Sequence, residues 1–277
     1  MDGLIDWEET KRFLRRSGEK RRLGAVIRSF RELPSTQAPA KEAARGGAPH
    51  GTVFVADFQS AGRGRRDRLW SSSPGVDLTF SAILRPNVET RHSSLLNLAA
   101  ALAARCAIEG FFPPGCGNIE IKWPNDILAN GKKICGIICE AAGDAKRLGY
   151  AVLGIGINAN GRAEDMQALG PPGKMKATSL MAELGHAVSL PELLAGVLNG
   201  LEEFSGMVEA EGDRARLIEI YRSRCSTVGR SVKIQSDEGE FTGTAIGVAE
   251  DGALVLKAES GEETAFRAAD VIHATME

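Results

Sequence analysis

Four arginines stand close together between small residues in one short stretch of the chain, which reads Gln-Ser-Ala-Gly-Arg-Gly-Arg-Arg-Asp-Arg-Leu-Trp from Gln59 to Trp70. Guanidinium groups match phosphate oxygens in a forked geometry, and glycines let backbone N–H groups approach an anion. The stretch therefore predicts a mobile loop that binds a phosphate-bearing ligand. A solvated basic loop and a nucleic-acid contact are the alternatives that this stretch alone leaves open.

Strands are predicted on both sides of this arginine loop, over residues 51–58 and 77–84, because both segments are rich in β-branched and aromatic residues. A strand that Pro124 stops is predicted over 119–123. The Asn130-Gly131 pair then predicts a hairpin turn, followed by a strand that begins with Lys132 and Lys133. These strands must hold the loop and one of the two lysines in fixed positions.

Helices are predicted over residues 6–16, 20–30, 93–108 and 178–222, and the hydroxyl of Ser35 or Thr36 is a candidate cap for a further helix. A third strand after the hairpin, over 150–158, contains Gly154-Ile-Gly-Ile-Asn-Ala159, which matches the G-x-G-x-x-[GA] dinucleotide pattern formally. We reject this interpretation, because the pattern works only where a helix opens directly after the glycines, and turn residues follow here.

The composition changes after Cys225, where short alternating segments separated by Asp-Glu-Gly and Glu-Asp-Gly turns predict a small all-β module. Residues 1–31 carry nine basic and five acidic side chains, which predicts a basic N-terminal helix with a solvated face. The predicted organisation is therefore a basic N-terminal extension over 1–30, a ligand-binding domain over 31–225 and a small β domain over 226–277.

The composition excludes several classes of protein. The formal net charge of −2 over 277 residues does not suit a chain that coats nucleic acid. The sequence contains no apolar run long enough for a membrane helix and no signal-peptide pattern at its N-terminus, so we expect a cytoplasmic protein. The five cysteines lack the paired spacing of a zinc site.

Four motifs taken together resemble the biotin protein ligases, in matching order and spacing. They are QSAGRGRRDRLW from Gln59 to Trp70, KWPND from Lys122 to Asp126, KKICGII from Lys132 to Ile138 and GIGIN from Gly154 to Asn158. The resemblance implies an α+β fold, in which a mixed, largely antiparallel sheet of the class II synthetase-like kind packs with helices and is followed by a C-terminal SH3-like β-barrel.

The resemblance also implies a two-step reaction. The carboxylate of biotin attacks the α-phosphate of MgATP to give biotinyl-5′-AMP and pyrophosphate, and the acyl group then passes to a lysine of a biotin carboxyl carrier domain of a biotin-dependent carboxylase. Such phosphoryl chemistry depends on positioning and charge neutralisation rather than on a protein nucleophile. The motif residues, mainly Arg, Lys and Gly, agree with that requirement.

Site residues follow from the resemblance motif by motif. The implied catalytic residues are Lys133, Arg63 and Arg65, with Lys133 as the cation beside the reacting carboxyl and phosphate groups. The implied biotin-binding residues are Ser35, Thr36, Gln37, Gln59, Arg63, Gly64, Arg65, Lys133 and Gly136. The implied nucleotide-binding residues are Trp70, Lys122, Asn125, Asp126 and Asn158. No metal ligand from the protein is assigned, and Mg²⁺ is expected to be held through ATP.

Two residues depart from the family pattern, which usually has glycine at Asp67 and asparagine at Gln37. An anion at Asp67 beside a phosphate site is expected to weaken loop closure or adenylate affinity, and Gln37 lengthens a contact in the biotin pocket by one methylene group. The alternatives are a lipoate or octanoate ligase or transferase of the same fold, and a non-catalytic protein that binds biotinyl-AMP or nucleic acid. The GRGRR loop and the β module favour biotin.

Partners are expected by the same resemblance. The carrier domain is the expected protein substrate, a homodimer is left open, and no membrane partner is expected. The repressor members of the family carry an N-terminal winged-helix domain, whereas only a short segment precedes Ser35 here. We therefore do not expect DNA binding, although the basic segment 11–22 keeps that function open.

Overall fold

Two β-sheets and the helices packed on them form the part of the chain that this computed structural model describes, namely residues 5–14, 22–168, 176–236, 239–267 and 269–273 apart from the side chain of Asp67. The strands before the C-terminal module are β1 (Val26–Leu33), β2 (Thr52–Gln59), β3 (Gly62–Arg63), β4 (Leu69–Trp70), β5 (Leu78–Leu84), β6 (Ile119–Lys122), β7 (Asp126–Ala129), β8 (Lys132–Gly143) and β9 (Leu148–Ile157). The helices are α1 (Thr10–Phe13), α2 (Gln37–Arg45), α3 (Ser93–Glu109), α4 (Ala163–Ala168), α5 (Leu180–Leu184), α6 (Leu190–Glu209) and α7 (Arg214–Arg224). None of these helices combines the length and the apolar character needed to cross a membrane.

Seven strands form the larger sheet, in the order β1-β2-β5-β9-β8-β7-β6. Strands β1 and β2 are parallel, and every other neighbouring pair is antiparallel. The sheet is therefore mixed, which confirms the predicted α+β class. The predicted strands on both sides of the arginine loop are β2 and β5, which lie side by side and antiparallel. The loop therefore begins and ends at neighbouring strand ends.

The two faces of this sheet have different roles. Val53 and Val55 of β2 and Leu153 of β9 lie in the main core, which also contains the buried residues of α3 and α6. Residues of opposite parity, such as Phe54 and Val152, face the other side, where they pack in a second, smaller core with α2. This alternation is expected of strands in a sheet with both faces covered. The face that carries α2 also carries the candidate site.

The C-terminal module is an antiparallel sheet in the order β13-β12-β11-β10-β14, consistent with the predicted SH3-like domain. Its strands are β10 (Ser231–Ser236), β11 (Gly239–Val248), β12 (Leu254–Lys257), β13 (Glu263–Phe266) and β14 (Asp270–His273). The module packs against the KWPND motif. The buried Trp123 indole of this motif donates a hydrogen bond to the carbonyl of Gly252, between β11 and β12, at 3.1 Å. The module is thus attached directly to the strand pair that carries the candidate nucleotide residues.

The N-terminal region differs from its prediction. Residues 26–30, predicted to be helical, begin strand β1, which pairs with β2 along its whole length. In the other predicted N-terminal helix, only residues 10–13 are α-helical within the described ranges, and residues 15–21 lie outside them. Trp7 is buried and its indole donates to Asp57 Oδ1 at 2.8 Å. Part of the predicted extension therefore belongs to the main domain.

The glycine-rich segment at the end of β9 agrees with our rejection of the dinucleotide pattern. Gly154 and Gly156 both lie inside β9, which ends at Ile157, and the next helix begins only at Ala163. The glycines therefore do not present a helix N-terminus to a phosphate.

Candidate active site

The arginine loop folds into a small hairpin over one face of the larger sheet. Gly62 pairs with Trp70 and Arg63 pairs with Leu69, and a 3₁₀ turn over Arg65–Asp67 closes the hairpin. The base of the loop is closed by Ser72, whose hydroxyl accepts a hydrogen bond from the backbone N–H of Gln59 at 3.2 Å. The base of the loop is therefore held by backbone pairing and by this hydrogen bond, and the mobility of the loop stays a prediction.

The loop arginines point to different partners. Arg65 donates from Nη1 to Asn125 Oδ1 at 3.1 Å and to the carbonyl of Ala269 at 3.4 Å. Burial lowers the pKa of the Arg65 guanidinium, and the carboxylates of Asp270 and Asp126 offset part of that effect. Arg65 is thus a partly desolvated cation, the kind of group that binds a phosphate oxygen strongly.

Asp270 of the C-terminal module contacts two further arginines of the loop. Its carboxylate forms an ion pair with Arg66 at 3.4 Å and another with Arg68. Arg63, like Arg66 and Arg68, is exposed. Sequence reasoning missed Asp270, because no local pattern relates it to a loop about two hundred residues earlier. The predicted effect of Asp67 remains a prediction, since its side chain lies outside the described part of the structure.

A buried polar network lies beside the loop, at the start of α2. Thr36 donates from its backbone N–H to Gln59 Oε1 at 2.7 Å, and its hydroxyl lies 3.1 Å from the same oxygen and 2.8 Å from Ser81 Oγ. Ser81 donates to Gln37 Oε1 at 2.9 Å, and Gln37 donates from Nε2 to the carbonyl of Val152 at 3.1 Å. Ser35 Oγ accepts from the Gln37 N–H at 3.3 Å. The structure therefore brings four predicted biotin-binding residues together.

Of the two candidate caps, Ser35 accepts a hydrogen bond from the N–H of Gln37, the first residue of α2, whereas the Thr36 hydroxyl makes no bond to this helix. Because Gln59 Oε1 is already an acceptor for Thr36, the amide nitrogen of Gln59 is the part of that side chain left to donate to a ligand. Ser81 was not predicted. Its position on a strand that faces α2 is the only sequence signal for it, since every second residue of a strand shares a face.

Glycines form the floor of the site. Gly136 of β8 is paired with Gly156 of β9, and Gly154 lies two residues away on the same face. A Cβ atom at Gly156 would lie 2.4 Å from the Trp70 ring, and one at Gly154 would lie 2.6 Å from Gln37 Oε1. Both distances are too short for any real side chain. The three glycines therefore form a strip without side chains, on which Trp70 and Gln37 pack directly and which connects the Gln37 network to the loop.

Lys133 reaches the same face because of an irregularity in the sheet. The pairing of β7 with β8 shifts by one residue, so that Ile127 pairs with Cys135 but Leu128 pairs with Lys133. Ile134 is the extra residue of this β-bulge, and such a bulge re-aims the side chains next to it. The Lys133 ammonium lies 2.7 Å from Asp126 Oδ1 and 6.0 Å from the centre of the Trp70 ring.

Lys132 has a different environment. Its ammonium lies 2.5 Å from Glu183 Oε1, on α5 and away from the glycine floor. Hydrogen bonds from Lys132, Thr178 and Asn130 lower the pKa of Glu183 against the effect of burial. The structure therefore separates the two consecutive lysines, and each forms an ion pair with a different carboxylate.

The remaining predicted nucleotide residues surround Lys133. Burial lowers the pKa of Lys122, while Asp126 opposes the effect and Lys133 adds to it. Asn125 is anchored through Nδ2 to the carbonyl of Ile137 at 2.9 Å, which leaves its Oδ1 to accept from Arg65. Asn158 is buried, and its Nδ2 donates to the carbonyl of Thr178 at 2.9 Å. The Asn158 side chain is thus fixed to the segment that precedes α5.

One prediction concerns the glycine floor. Gly154→Ala places a methyl group against Gln37 Oε1 and Ile138 Cγ1, at 2.6 and 2.8 Å before relaxation. Overpacking of this kind typically costs about 1–3 kcal/mol, so we expect biotin to bind roughly five- to a hundredfold more weakly in calorimetric titrations. Gly206→Ala is the control, because a Cβ there meets open space. Unchanged biotin affinity in Gly154→Ala would contradict the assignment of this strip as the floor.

Comparisons with known proteins agree with this geometry. A family model described as the biotin/lipoate A/B protein ligase family matches residues 29–158, and the biotin protein ligase C-terminal domain matches residues 227–274. A biotin–[acetyl-CoA-carboxylase] ligase of Paracoccus denitrificans is 31% identical, over 83% of this chain and 93% of that protein. The chain belongs to the biotin protein ligase family. The predicted resemblance is therefore confirmed.

Other relatives extend the comparison. The bifunctional ligase/repressor BirA of Bacillus spizizenii is 33% identical, over 85% of this chain and 70% of that protein. The biotin protein ligase from Aquifex aeolicus in complex with biotin and ATP has a TM-score of 0.73 and 26% identity, covering 90% of this chain and 100% of that chain. In this chain, all the candidate residues from Ser35 to Asn158 fall within the segment that matches the first family model, residues 29–158. Asp270 falls within the segment that matches the second, residues 227–274.

Proposed function

We propose that this member of the family activates biotin with MgATP and transfers the biotinyl group to a lysine of a biotin carboxyl carrier domain. The observation that carries the proposal is the glycine strip, which has the buried Gln37 network at one end and Lys133, Asp126 and Arg65 at the other. One end suits a neutral polar ring, and the other suits two anions that must react with each other.

Biotin recognition is assigned to the network of Ser35, Thr36, Gln37 and Gln59. The ureido group of biotin offers one carbonyl acceptor and two N–H donors in a plane. The free amide nitrogen of Gln59 suits the carbonyl, since its Oε1 is held by Thr36. Because every member of the network is buried and hydrogen-bonded, it keeps its orientation before the ligand arrives.

The adenylation step is assigned to the other end of the strip. A carboxylate oxygen of biotin attacks the α-phosphorus of ATP, the bond to the β-phosphate oxygen breaks, and pyrophosphate leaves. Both reacting groups are anionic, so a fixed cation between them stabilises the transition state most. Lys133 supplies that cation. Arg63, Gly64 and Arg65 hold the acyl phosphate, and Gly136 lets the ligand lie close to the sheet.

Nucleotide binding is assigned to Trp70, Lys122, Asn125 and Asp126, with Asn158 as a support. The Trp70 indole N–H is buried and has no acceptor among the described residues, so a bound ligand would supply one. The Asp126 carboxylate is paired with Lys133 and the Asp270 carboxylate with Arg66 and Arg68. Carboxylates that are already paired with cations fit a Mg²⁺ ion that is held mainly by phosphate oxygens and water.

The transfer step needs no further protein nucleophile. The neutral amine of the carrier lysine attacks the acyl carbon of biotinyl-AMP, the bond to the phosphate oxygen breaks, and AMP leaves. The loop that covers the glycine strip shields the mixed anhydride from water until the carrier arrives. The cytoplasmic location, the homodimer and the absence of DNA binding stay predictions, and much of the basic segment 11–22 lies outside the described residues.

The experiment that tests the function combines the purified chain with biotin, MgATP and a biotin carboxyl carrier domain. Mass spectrometry should show one added biotinyl group on the carrier and none on a carrier whose acceptor lysine is replaced by arginine. Parallel reactions contain lipoate or octanoate instead of biotin. Pyrophosphate release with lipoate or octanoate but not with biotin would assign the chain to the other branch of the family, and tight binding of biotinyl-AMP without transfer would indicate a non-catalytic binding protein.

A further inference from the structure

Asp77, the residue before β5, is a buried carboxylate that has no place in the mechanism described so far. Its side chain is one of the least accessible acidic groups of the described residues, with 3% exposure for the residue as a whole. One oxygen, Oδ2, accepts the backbone N–H of Ser73 at 3.1 Å. The other, Oδ1, accepts the backbone N–H of Ala159 at 3.2 Å. The carboxylate therefore joins two segments that are far apart in the sequence.

The first of these segments is the exit of the arginine loop. Ser73 directly follows Ser72, whose hydroxyl closes the base of the loop on Gln59. Just beyond Ser73, the backbone N–H of Gly75 donates to the carbonyl of Asp57 at 2.9 Å. The bond from Ser73 to Asp77 thus fixes the direction in which the chain leaves the loop, and with it the position of the hairpin over the glycine strip.

The second segment leads to Lys133. Ala159 follows Asn158, whose side chain donates to the carbonyl of Thr178 at 2.9 Å. The backbone N–H of Thr178 in turn donates to the carbonyl of Lys133 at 2.9 Å. A path made of hydrogen bonds and short covalent links therefore runs from the exit of the arginine loop, through the Asp77 carboxylate, to the backbone of Lys133.

Burial of the Asp77 carboxylate opposes folding at neutral pH. Burial raises the pKa of Asp77 from 3.8 to about 6, and the two backbone N–H donors oppose that shift. Because the pKa of Asp77 is higher in the folded state than in the unfolded state, the contribution of this group to the free energy of unfolding is largest at a pH below its unfolded pKa. That contribution is lost as the pH rises through the folded pKa of about 6. At neutral pH a neutral group of the same shape would suit the fold better, as long as its hydrogen bonds were kept.

We propose that Asp77 is a positioning residue of the adenylation site, which holds the exit of the arginine loop in a fixed relation to the segment that supports Lys133. The inference rests on the proposed function. Asp77 does not touch the polar network at the start of α2, whose hydrogen bonds involve neither Ser73 nor Ala159. Its loss should therefore disturb the state in which the loop and Lys133 act together on the acyl phosphate, and leave the binding of biotin alone unchanged.

The test is Asp77→Asn, which keeps the shape but has only one oxygen for the two N–H donors. Losing a hydrogen bond to a charged group and displacing the loop slightly should increase the dissociation rate of biotinyl-AMP roughly tenfold or more. The dissociation constant for biotin without ATP should stay within about twofold. Asp77→Ser, whose single short hydroxyl cannot reach both donors, is the second variant, and thermal melting with biotin shows that each variant is folded.

Asp57→Asn is the matched control. Asp57 is also a buried aspartate, on the neighbouring strand β2, but its carboxylate accepts from the Trp7 indole at 2.8 Å and takes no part in the path to Lys133. We expect a lowered melting temperature and an unchanged dissociation rate of biotinyl-AMP. The proposal is overturned if both Asp77 variants release biotinyl-AMP at the wild-type rate, or if they weaken biotin binding to the same extent as they speed release. If the wild-type chain forms no biotinyl-AMP, the proposed function itself is wrong.

Discussion

Lys133→Ala should lower the rate of biotinyl-AMP formation by roughly a hundredfold or more in single-turnover assays with biotin and MgATP. The ammonium lies next to Asp126 at the end of the glycine strip, where a carboxylate and a triphosphate must approach each other. Removing one preorganised charge from such a site typically costs about 3–4 kcal/mol in the transition state. The fold should be intact, because the side chain is one-third exposed and its strand is held by backbone bonds on both sides.

Lys132→Ala is the control for this prediction, with an expected change of less than about threefold. Its removal leaves Glu183 with hydrogen bonds from Thr178 Oγ1 at 2.5 Å and Asn130 Nδ2 at 2.7 Å, so that this carboxylate stays satisfied. Equal losses in the two variants, or near-normal adenylation by Lys133→Ala, would show that the wrong lysine or the wrong mechanism has been assigned.

Arg65→Ala should increase the dissociation rate of biotinyl-AMP by roughly a hundredfold. The guanidinium is partly buried between Asn125 and Ala269 and faces the part of the site assigned to the acyl phosphate. A desolvated hydrogen-bond donor typically stabilises a bound anion, or one that forms in the transition state, by about 3 kcal/mol. Stopped-flow fluorescence or filter binding with labelled adenylate would measure the rate.

Two further variants make the Arg65 result specific. Arg65→Lys keeps the charge but loses the forked geometry, so its dissociation rate should lie between those of the wild type and Arg65→Ala. Arg91→Ala removes an exposed arginine whose partner is Glu89, far from the loop in sequence, and should leave the rate unchanged. If Arg65→Ala released biotinyl-AMP at the wild-type rate, the phosphate would be bound by the exposed Arg63 or by Mg²⁺ and not by Arg65.

The parts of the fold that were predicted correctly depend on short-range patterns. The hairpin at Asn130-Gly131 follows from two residues that tolerate a left-handed backbone, and both have positive φ in the structure. The strands beside the arginine loop follow from their apolar composition. Strand β1 was missed because it is an edge strand with no buried side chain and three charged ones among its eight residues, and only its pairing with β2 makes it a strand.

The site shows the same division. The arginine loop, the polar residues at the start of α2 and Lys133 carry motifs that can be recognised in order along the chain. Ser81 and Asp270 carry no motif, because their roles arise from sheet register and from the docking of the C-terminal module. Asp77 belongs to the same group: a buried aspartate beside a turn cannot be distinguished from a structural one until its two hydrogen-bond donors are known.

The β-bulge at Ile134 decides which of two adjacent lysines faces the substrates. By simple alternation, Lys132 would share a face with Gly136, and Lys133 would point into the apolar core with Cys135. The extra residue reverses the faces of the two β8 residues that precede it, so that Lys133 shares a face with Gly136 and Lys132 does not. Deleting Ile134 would therefore leave Lys133 on the face of Gly136, because the shortened strand reaches the same pairing with Leu128 by simple alternation. Inserting one residue in β7 opposite Ile134 would instead remove the bulge and exchange the two ammonium groups, burying one charge and moving the other over the glycines, although the Lys-Lys pair itself would be unaltered.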